Sequence, residues 1–345
     1  MSYEEIIQDN CEHHSAVNWW PRFAFHYTDI KNAISILSSG YLYSRSNAEK
    51  LGVMKNDNAS RQVIDMTKTE AMANVRFYFR PLTPTQYHNE GYKHPQLRYD
   101  GDRCANMPVP IFFAFDLAKL LSMPGIRFSE KAQSGNGAAL YCTEEEFSKL
   151  HFDKIYGNGY DEDWKENQKY RHGEILYPGK FSIESCLCAI LCRNDVEQTT
   201  LLNLLHKNNL NVYYKYRKYI KVCKESMFEK NGLYVDRCQY HNNTVSVSFA
   251  NTFAKQQHSH KEMEKQELRT LSPVNARIEL TWSKKEKLCY KTVTELNVDY
   301  LNARPVTFAN IPVIPEAKEI QISVFLEDNI MCYIEQPLSE VELIK

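Results

Sequence analysis

The sequence predicts an α+β protein in two parts, and three observations support this fold class. Helix and strand patterns alternate irregularly over the first part of the chain, without a repeat. A charged stretch, AKQQHSHKEMEKQELRT, is almost free of large apolar residues and is typical of a linker or an exposed helix. After it, short segments alternate apolar and polar residues. We therefore predict a domain at 1–253, a linker at 254–270 and a small β-rich domain at 271–345.

In the N-terminal part, the segment RFAFHYT (22–28) has the aromatic and β-branched content of a strand. Asp29 is predicted to cap the helix that follows, and Gly40 to end it. Aromatic and apolar runs predict further strands at 41–43, 75–79, 109–115, 172–178 and 184–193. Apolar periodicity and capping residues predict helices at 58–70, 116–121 and 196–208. Polar, glycine-containing stretches predict long surface loops at 123–142 and 153–171.

The C-terminal part has a different pattern of apolar and polar residues. Five segments alternate apolar and polar residues between turn signals: ARIELTW, TVTELNVDY, PVTFANIPV, EIQISVFLE and IMCYIEQPL. This alternation is typical of antiparallel strands with one buried face. Such modules usually bind or brace, and none of these segments carries a catalytic pattern.

Composition narrows the class of protein. The 345 residues are 43% hydrophobic and 25% charged, as in ordinary soluble domains. The start, MSYEEIIQDN, lacks the basic and apolar regions of a secretory signal. No apolar run approaches the roughly 20 residues that span a bilayer. The ten cysteines are spread along the chain, so we expect reduced thiols in a cytoplasmic protein without a membrane partner.

The formal net charge of −1 means that a nucleic acid would have to be bound by a local basic patch. The best such segment is YYKYRKYIK, at 213–221, where Lys215, Arg217 and Lys218 alternate with tyrosines. Cations follow phosphates and tyrosines stack on bases, a combination suited to single strands. The alternative is an amphipathic helix whose tyrosines pack inward and whose lysines are solvated.

Four stretches, in this order, resemble the DarT family of DNA ADP-ribosyltransferase toxins. They are His26-Tyr27-Thr28 with the helix that follows, Arg61 in NASRQVID, the segment VRFYFRPLTPTQYHNEG, and Glu174 in YRHGEILYP. The third stretch is the most specific, and the similarity covers about residues 20–235. The resemblance implies an ADP-ribosyltransferase-like split β-sheet in the N-terminal domain, and none of it extends to the β-rich tail.

The resemblance implies that NAD⁺ is the co-substrate and that ADP-ribose passes to a nucleobase of DNA. Glu174 would stabilise the positive charge that develops at the ribose carbon and deprotonate or polarise the acceptor. Arg61 would hold the acceptor base, with Arg45 as a competitor for the same role. His172, two residues before Glu174, is predicted to project from the same face of the strand.

The resemblance places His26 and Thr28 in the NAD⁺ pocket. They lie two apart on a predicted strand, so their side chains are expected to face the same way. Tyr43 and Tyr78 are candidates to stack on nicotinamide or adenine, although each suits a core position equally well. Tyr87 is a further candidate. Cys186, Cys188 and Cys192 lack zinc-site spacing and are expected to be buried small apolar residues, so no metal is predicted.

Expected partners follow from this chemistry. Single-stranded DNA is preferred because its bases need no flipping. A toxin that modifies DNA requires an antitoxin, either an ADP-ribosyl hydrolase or a binding protein, and phage defence is a setting for such a pair. The target base, guanine or thymine, is left open. Two alternatives also stay open: transfer to RNA or protein, and a catalytically inactive nucleic-acid-binding module.

Overall fold

The computed structural model describes residues 1–56, 72–98, 106–133, 138–158 and 164–338. Sixteen strands are numbered here in chain order within these ranges. They are β1 Phe23–Asp29, β2 Tyr41–Tyr43, β3 Asn74–Tyr78, β4 Pro110–Asp116, β5 Arg127–Ser129, β6 Glu174–Pro178, β7 Lys180–Ser182, β8 Leu187–Cys192, β9 Ile220–Val222, β10 Val235–His241, β11 Thr244–Phe249, β12 Val274–Lys284, β13 Lys287–Val298, β14 Val306–Phe308, β15 Glu319–Leu326 and β16 Asn329–Pro337.

Eleven helices are numbered in the same way over the described ranges. They are α1 Tyr3–His13, α2 Ile30–Ser39, α3 Arg45–Leu51, α4 Pro84–Asn89, α5 Leu117–Leu121, α6 Glu144–Ser148, α7 Phe152–Tyr156, α8 Trp164–Tyr170, α9 Asp195–Asn208, α10 Leu210–Tyr216 and α11 Phe253–Lys265. The predicted helix at 58–70 lies outside the described residues.

A seven-stranded sheet forms the centre of the N-terminal part, in the order β5-β6-β3-β1-β4-β8-β9. Neighbouring strands are antiparallel except β8 and β9, which are parallel. Strand β4, PIFFAFD, lies between β1 and β8 and is buried over its first six residues because helices or loops cover both of its faces. Aromatic side chains therefore pack in the core on both sides of this sheet, in agreement with the aromatic runs from which its strands were predicted.

The sheet is split between β1 and β3. Strand β1 pairs with β4 over its whole length, from Phe23 opposite Asp116 to Asp29 opposite Pro110. With β3, among the described residues, it shares one register position, Phe25 opposite Tyr78. The two strands diverge beyond that point, and a cavity opens between them. The predicted mixed α/β fold with a split sheet is confirmed.

The first predicted helix has the predicted ends. The Asp29 side chain accepts a hydrogen bond from the Lys31 backbone N–H, which caps α2 at its N-terminus. At the other end Gly40 adopts φ 76°, a left-handed conformation that side chains other than glycine disfavour, and its N–H donates to the Ile36 carbonyl. These caps fix the turn that leads from α2 into β2.

Both stretches predicted as long loops contain regular structure. The first includes β5, which pairs with β6 at the edge of the central sheet. The second includes most of α7 and the whole of α8. Gly157 approaches the Asp153 carbonyl so closely that a Cβ there would lie 2.5 Å from that oxygen, so this glycine ends α7.

The C-terminal strands form a four-stranded antiparallel sheet in the order β13-β12-β15-β16. Alternating residues of β12 are buried, as the sequence pattern predicted. Strand β14 does not join this sheet but pairs with β11, in a second sheet ordered β10-β11-β14. Strand β16 packs on helix α9, where the Tyr333 backbone N–H donates to Thr200 Oγ1 at 3.0 Å. Contacts thus cross the predicted domain boundary, and the division of the chain into domains stays a prediction.

The segment predicted as a linker, 254–270, consists mainly of helix α11. Its Lys255 is fully buried and donates from Nζ to the carbonyl of Tyr300 at 2.9 Å and to Asn251 Oδ1 at 2.8 Å. The helix is therefore packed along one side rather than exposed all round. It connects the two parts of the chain through contacts as well as through its sequence.

Two further properties concern the whole described chain. None of its helices combines the length and apolar character required to cross a membrane. Its nine described cysteines are free thiols. Cys186 and Cys192 are buried, as predicted, whereas Cys188 is exposed on β8 because that position faces away from the core.

Candidate active site

The split between β1 and β3 leads into a cavity of about 280 Å³. One wall is the face of α2 that carries Asn32, Ser35, Ile36 and Ser39, which repeat at helical spacing. The other walls come from β1, β2, α3, the segment 53–56, β3 with the preceding Met72, α4 and Met107. The remaining lining residues include His26, Tyr27, Thr28, Tyr41, Leu42, Tyr43, Arg45, Ala48, Val53, Met54, Asn56, Met72, Asn74, Arg76, Tyr78, Thr85, Asn89 and Met107.

His26 and Thr28 both line the cavity from β1, as their spacing predicted. The His26 ring spans the split, and its Nδ1 lies 3.0 Å from the backbone carbonyl oxygen of Arg76 on β3. A carbonyl only accepts, so Nδ1 carries the proton and the neutral ring keeps a lone pair on Nε2. Burial lowers the pKa of His26, and the hydrogen bond to Arg76 opposes this shift.

Tyr43 and Tyr78 also line the cavity. Tyr43 ends β2, beside the ring of Tyr41 at 6.1 Å between centroids. Tyr78 ends β3, 6.1 Å from the ring of Tyr27. Tyr87, the further candidate, is not among the described lining residues and instead packs its ring 5.2 Å from His258. Whether Tyr43 and Tyr78 bind a ligand stays a prediction.

Glu174 is the first residue of β6 and lies opposite Tyr78 in register. It is 2% exposed, and its Oε1 lies 3.8 Å from Arg76 Nη1. Its other oxygen, Oε2, has no hydrogen-bond partner among the described residues. Glu174 does not line the cavity itself but adjoins it through Arg76 and Tyr78.

The electrostatic environment of Glu174 has two opposing parts. Burial raises the pKa of the Glu174 carboxyl, because a charge is poorly solvated there. The Arg76 guanidinium lowers this pKa, and so does the hydrogen bond that the carboxylate accepts from the Gln133 backbone. Burial and, after it, the same carboxylate raise the pKa of Tyr78, so that phenol stays protonated. The carboxylate is therefore buried, and its Oε2 has no hydrogen-bond partner among the described residues.

Of the two arginines considered for the acceptor base, Arg61 lies outside the described residues. Arg45 lines the cavity as the first residue of α3, and its Nε lies 3.0 Å from Glu49 Oε1 one turn later. The structure therefore places Arg45 at the cavity and does not describe Arg61.

The prediction that His172 projects from the same strand face as Glu174 is wrong. Strand β6 begins at Glu174, and the two preceding residues form a turn in which the Gly173 N–H donates to the Tyr170 carbonyl at 3.0 Å. The alternation of side chains holds only within a strand. His172 is half-buried, and this burial lowers its pKa to about 4.

The basic and aromatic segment lies at the end of α10 and in the turn that follows. Lys215, Arg217 and Lys218 are exposed. Lys215 forms an ion pair with Glu184, and the Arg217 guanidinium lies 5.0 Å from the centre of the Tyr214 ring. Among the tyrosines, Tyr214 is 57% exposed whereas Tyr216 is buried, so the segment combines both alternatives that the sequence left open.

Three cavity residues were missed by sequence reasoning. Arg76 stands two residues before Tyr78 on the same strand, a spacing that would have placed both on one face. Asn32 accepts from the backbone N–H groups of Lys55 and Asn56, at 2.8 and 3.0 Å. Ser35 Oγ donates to the Val53 carbonyl at 3.1 Å. Asn32 and Ser35 thereby attach the segment 53–56 to α2, and only the fold reveals this long-range contact.

Across the part of the chain that the structure describes, no three His, Cys, Asp or Glu side chains are grouped so that they would hold a metal ion. The cavity instead offers aromatic rings, amides, hydroxyls and two arginines. This set suits a large organic ligand with ring and phosphate groups.

Comparisons with known proteins identify a family. The model of the family DarT, described as ssDNA thymidine ADP-ribosyltransferase, matches residues 25–220, which is more than half of the chain. No curated protein matches the chain.

Solved structures similar to this chain include two complexes of DarT from Thermus sp. 2.9. The complex with ADP-ribosylated ssDNA is 17% identical, with a TM-score of 0.48 over 60% of this chain and 96% of that one. The complex with NAD⁺ is 16% identical, with a TM-score of 0.46 over 60% and 98%. DarTG from Thermosipho africanus, in complex with ADP-ribose, is 13% identical, with a TM-score of 0.43 over 55% of this chain and 48% of that one.

Proposed function

The chain belongs to the DarT family of ssDNA thymidine ADP-ribosyltransferases, and from this premise we propose that it transfers ADP-ribose from NAD⁺ to thymidine in single-stranded DNA, with Glu174 as the catalytic carboxylate. The products are nicotinamide, the ADP-ribosylated base and a proton. The bond between nicotinamide and ribose breaks, and a bond from the ribose carbon to the acceptor base forms.

The observation that supports this proposal most strongly is the position of Glu174. A buried carboxylate with an uncommitted oxygen stands beside two cavity residues, Arg76 and Tyr78. The transition state of this reaction carries positive charge on the ribose, and a nearby carboxylate stabilises that charge more strongly in a dry site than in water. The same group accepts the proton that the acceptor base loses.

NAD⁺ would bind in the cavity of the split sheet. His26 is oriented across the split by its hydrogen bond to Arg76, so little orientational freedom is lost when the ligand binds. Thr28 supplies a hydroxyl from the same strand, and Tyr43 and Tyr78 supply ring faces for nicotinamide or adenine. Binding of this kind holds the reactive ribose in one position relative to Glu174.

For the acceptor base, the proposal assigns Arg61 or Arg45 as the group that binds the base and stabilises its deprotonated form. Arg45 reaches the cavity wall from α3. A guanidinium donates two parallel hydrogen bonds, which suits a nucleobase carbonyl or a phosphate. Comparing Arg61→Ala with Arg45→Ala decides between them. Loss of the arginine that binds the base should abolish transfer while NAD⁺ binding persists.

The DNA strand would contact Lys215, Arg217 and Lys218 through its phosphates. All three are exposed, and the half-exposed Tyr214 beside them offers a ring on which a base can stack. Loss of these cations should weaken binding to all sequences equally and reduce its salt dependence.

The physiological setting is also part of the proposal. Unchecked modification of DNA kills the cell, so we expect an antitoxin that removes ADP-ribose or binds this chain, within a toxin–antitoxin pair that acts in phage defence. The free thiols of the described cysteines support a reducing, cytoplasmic location.

The acceptor is tested by incubating the protein with labelled NAD⁺ and a panel of acceptors. The panel contains a thymine-bearing single-stranded oligonucleotide, the same strand without thymine, its duplex, an RNA of the same sequence and a protein mixture. Label should enter the first oligonucleotide and not the second. Label only in RNA or only in protein would replace the proposed acceptor with that one.

The alternative of a catalytically inactive binding module makes a different prediction. It requires that the oligonucleotide binds without release of nicotinamide from NAD⁺. Nicotinamide release that depends on the thymine-bearing strand would reject it.

A further inference from the structure

Among the described residues, the four-stranded C-terminal sheet has a long edge without a partner strand. Strand β13 has 12 residues and, among the described strands, pairs only with β12. Its outer backbone N–H and C=O groups therefore face away from the sheet. An uncovered edge of this length is a template for another strand, and proteins usually shorten, bend or cover it. This edge does not depend on the proposed enzymatic function.

The side chains of this edge strand are unusual for a solvated position. Leu288 is 58% exposed, Tyr290 is 43% exposed and Val293 is 48% exposed. Tyr290 lies on the core face of the sheet, 5.5 Å from the ring of the buried Trp282, so the core continues to the edge and stops there. Val293 lies on the opposite face, opposite Glu279 of β12.

We propose that β13 is the interface with a second copy of this chain, paired antiparallel about a two-fold axis at Val293. This axis is perpendicular to the sheet, so the core faces of both copies stay on one side and an eight-stranded sheet results. On the outer face, Val293 meets its own copy, and Lys291 lies opposite the second copy's Glu295 on either side. On the core face, Tyr290 lies opposite the second copy's Leu296.

The charges favour this register over its neighbours. Moving the axis by one residue in either direction leaves both Lys291 and Glu295 opposite uncharged residues. Moving it by two places Lys291 or Glu295 against its own copy, which is unfavourable for directly opposed strand positions. Only the register centred at Val293 satisfies both charges, and a self-complementary pattern of this kind is what an isologous interface requires.

Within one chain, these charges are only partly satisfied. Lys291 Nζ lies 2.9 Å from Glu279 Oε2, and Arg277 Nη1 lies 3.2 Å from Glu279 Oε1. One carboxylate is thus shared by two cations, while the exposed Glu295 stands across from Arg277 in the strand register. A second copy brings a carboxylate to Lys291, so the outer face gains one further ion pair at each end of the contact.

The test measures the oligomeric state of the full chain by sedimentation velocity over a concentration series, in a Glu174→Gln background that prevents toxicity. The unaltered edge should show a concentration-dependent dimer. Glu295→Lys places lysines opposite lysines and should weaken association by about tenfold or more. The double exchange Lys291→Glu with Glu295→Lys restores opposite charges and should restore the dimer.

Controls separate pairing from folding. Glu286→Lys changes an exposed charge in the adjacent turn, outside the paired region, and should leave the dimer intact. If Glu295→Lys fails to fold, Val293→Lys places like charges on the axis at an exposed position and serves instead. A monomer at all concentrations, or a dimer that neither charge reversal weakens, would overturn the proposal and leave this edge to a different partner or to none.

Discussion

At the scale of single residues, Arg76 contacts two other residues of the candidate site, His26 and Glu174. Its backbone carbonyl fixes the His26 ring, and its guanidinium lies 3.8 Å from the Glu174 carboxylate. A buried carboxylate without a cation would bind a proton and lose its ability to stabilise a positive transition state. Arg76 therefore links ligand orientation to the charge on the proposed catalytic group.

This role predicts a shift in the pH profile for Arg76→Gln. Burial raises the pKa of Glu174 and Arg76 lowers it, so removal of the cation raises that pKa further. Because the proposed mechanism requires the ionised carboxylate, activity is expected to be lost as pH falls through this pKa. The acidic limb of the rate profile should move to higher pH, and the rate should fall most in acid. The measurement is the transfer rate to a single-stranded oligonucleotide across pH.

Arg76→Lys is the matched control, since it keeps the charge and the backbone carbonyl. Its acidic limb should stay closer to that of the unaltered protein. An unchanged limb for Arg76→Gln would mean that Arg76 does not influence Glu174.

The residues of the site were predictable where a local rule applied. His26 and Thr28 share a strand and line one cavity, as their spacing predicted. The same rule failed for His172, because the strand begins only at Glu174. A register of side chains is reliable only inside the element, and the position of its first residue is set by tertiary contacts.

At the scale of elements, helix α2 supports one wall of the cavity and is fixed at both ends. Its N-cap, Asp29, is 3% exposed, and burial raises the pKa of this carboxyl to about 6. The hydrogen bond from the Lys31 N–H opposes that shift without abolishing it. The Asp29 side chain therefore stabilises α2 by accepting a hydrogen bond, whereas ionisation of its buried carboxyl destabilises the folded protein.

We expect Asp29→Asn to stabilise the protein at neutral pH. The folded-state pKa of Asp29 exceeds its unfolded value, so its favourable contribution is complete in acid and is lost as pH rises through about 6. Asparagine keeps the acceptor and removes the charge, which amounts to about 1 to 3 kcal/mol in the free energy of unfolding above that pH. Urea unfolding in acid and at neutral pH measures the difference, which should vanish in acid.

Asp116→Asn provides the comparison at the N-cap of α5, where the carboxylate is a third exposed. Because water solvates that charge, its removal should not stabilise the protein. A gain for Asp29→Asn that is equal in acid and at neutral pH would contradict the account of a buried charge.

Local sequence signals predicted the aromatic strands of the central sheet. They also predicted the N-caps of α2 and α5. Helix α1 also has a local signal, a capping box from Ser2 to Glu5, which makes its start predictable from the sequence. The short strand β5 could not be predicted, because it has three residues and forms by pairing with β6. Short edge strands are determined by their neighbours rather than by propensity.

At the scale of the whole molecule, the described residues after 270 are attached to the transferase part by specific contacts. Strand β14 pairs with β11, and β16 packs on α9. The fully buried Thr200 lies at this contact, where its Oγ1 donates to the Val196 carbonyl and accepts from the Tyr333 N–H. The sequence showed the change of texture after 270 but not these contacts, since strand pairing across long separations leaves no local pattern.

Thr200→Val tests this attachment. Valine has the same shape but cannot accept the Tyr333 N–H, and a buried N–H without a partner costs about 1 to 3 kcal/mol. Unfolding in urea should shift by that amount, and hydrogen exchange of the Tyr333 amide should accelerate.

Thr200→Ser keeps the hydroxyl and loses one methyl group. It should lower the free energy of unfolding by about 1 kcal/mol while leaving the Tyr333 amide protected. Equal protection of this amide in both variants would show that the hydrogen bond does not hold the two parts together.

In the proposed function, Glu174 is the catalytic carboxylate for NAD⁺-dependent transfer of ADP-ribose to thymidine in single-stranded DNA. The most direct test of this role is mass spectrometry of a thymine-bearing oligonucleotide treated with NAD⁺ and either the unaltered chain or Glu174→Gln. Glu335→Gln, another strand-borne glutamate far along the chain on β16, is the matched control. The unaltered chain and the control should add ADP-ribose to thymidine, and Glu174→Gln should be slower by about 10² to 10⁴. A folded Glu174→Gln protein that modifies thymidine at nearly the unaltered rate would contradict the account.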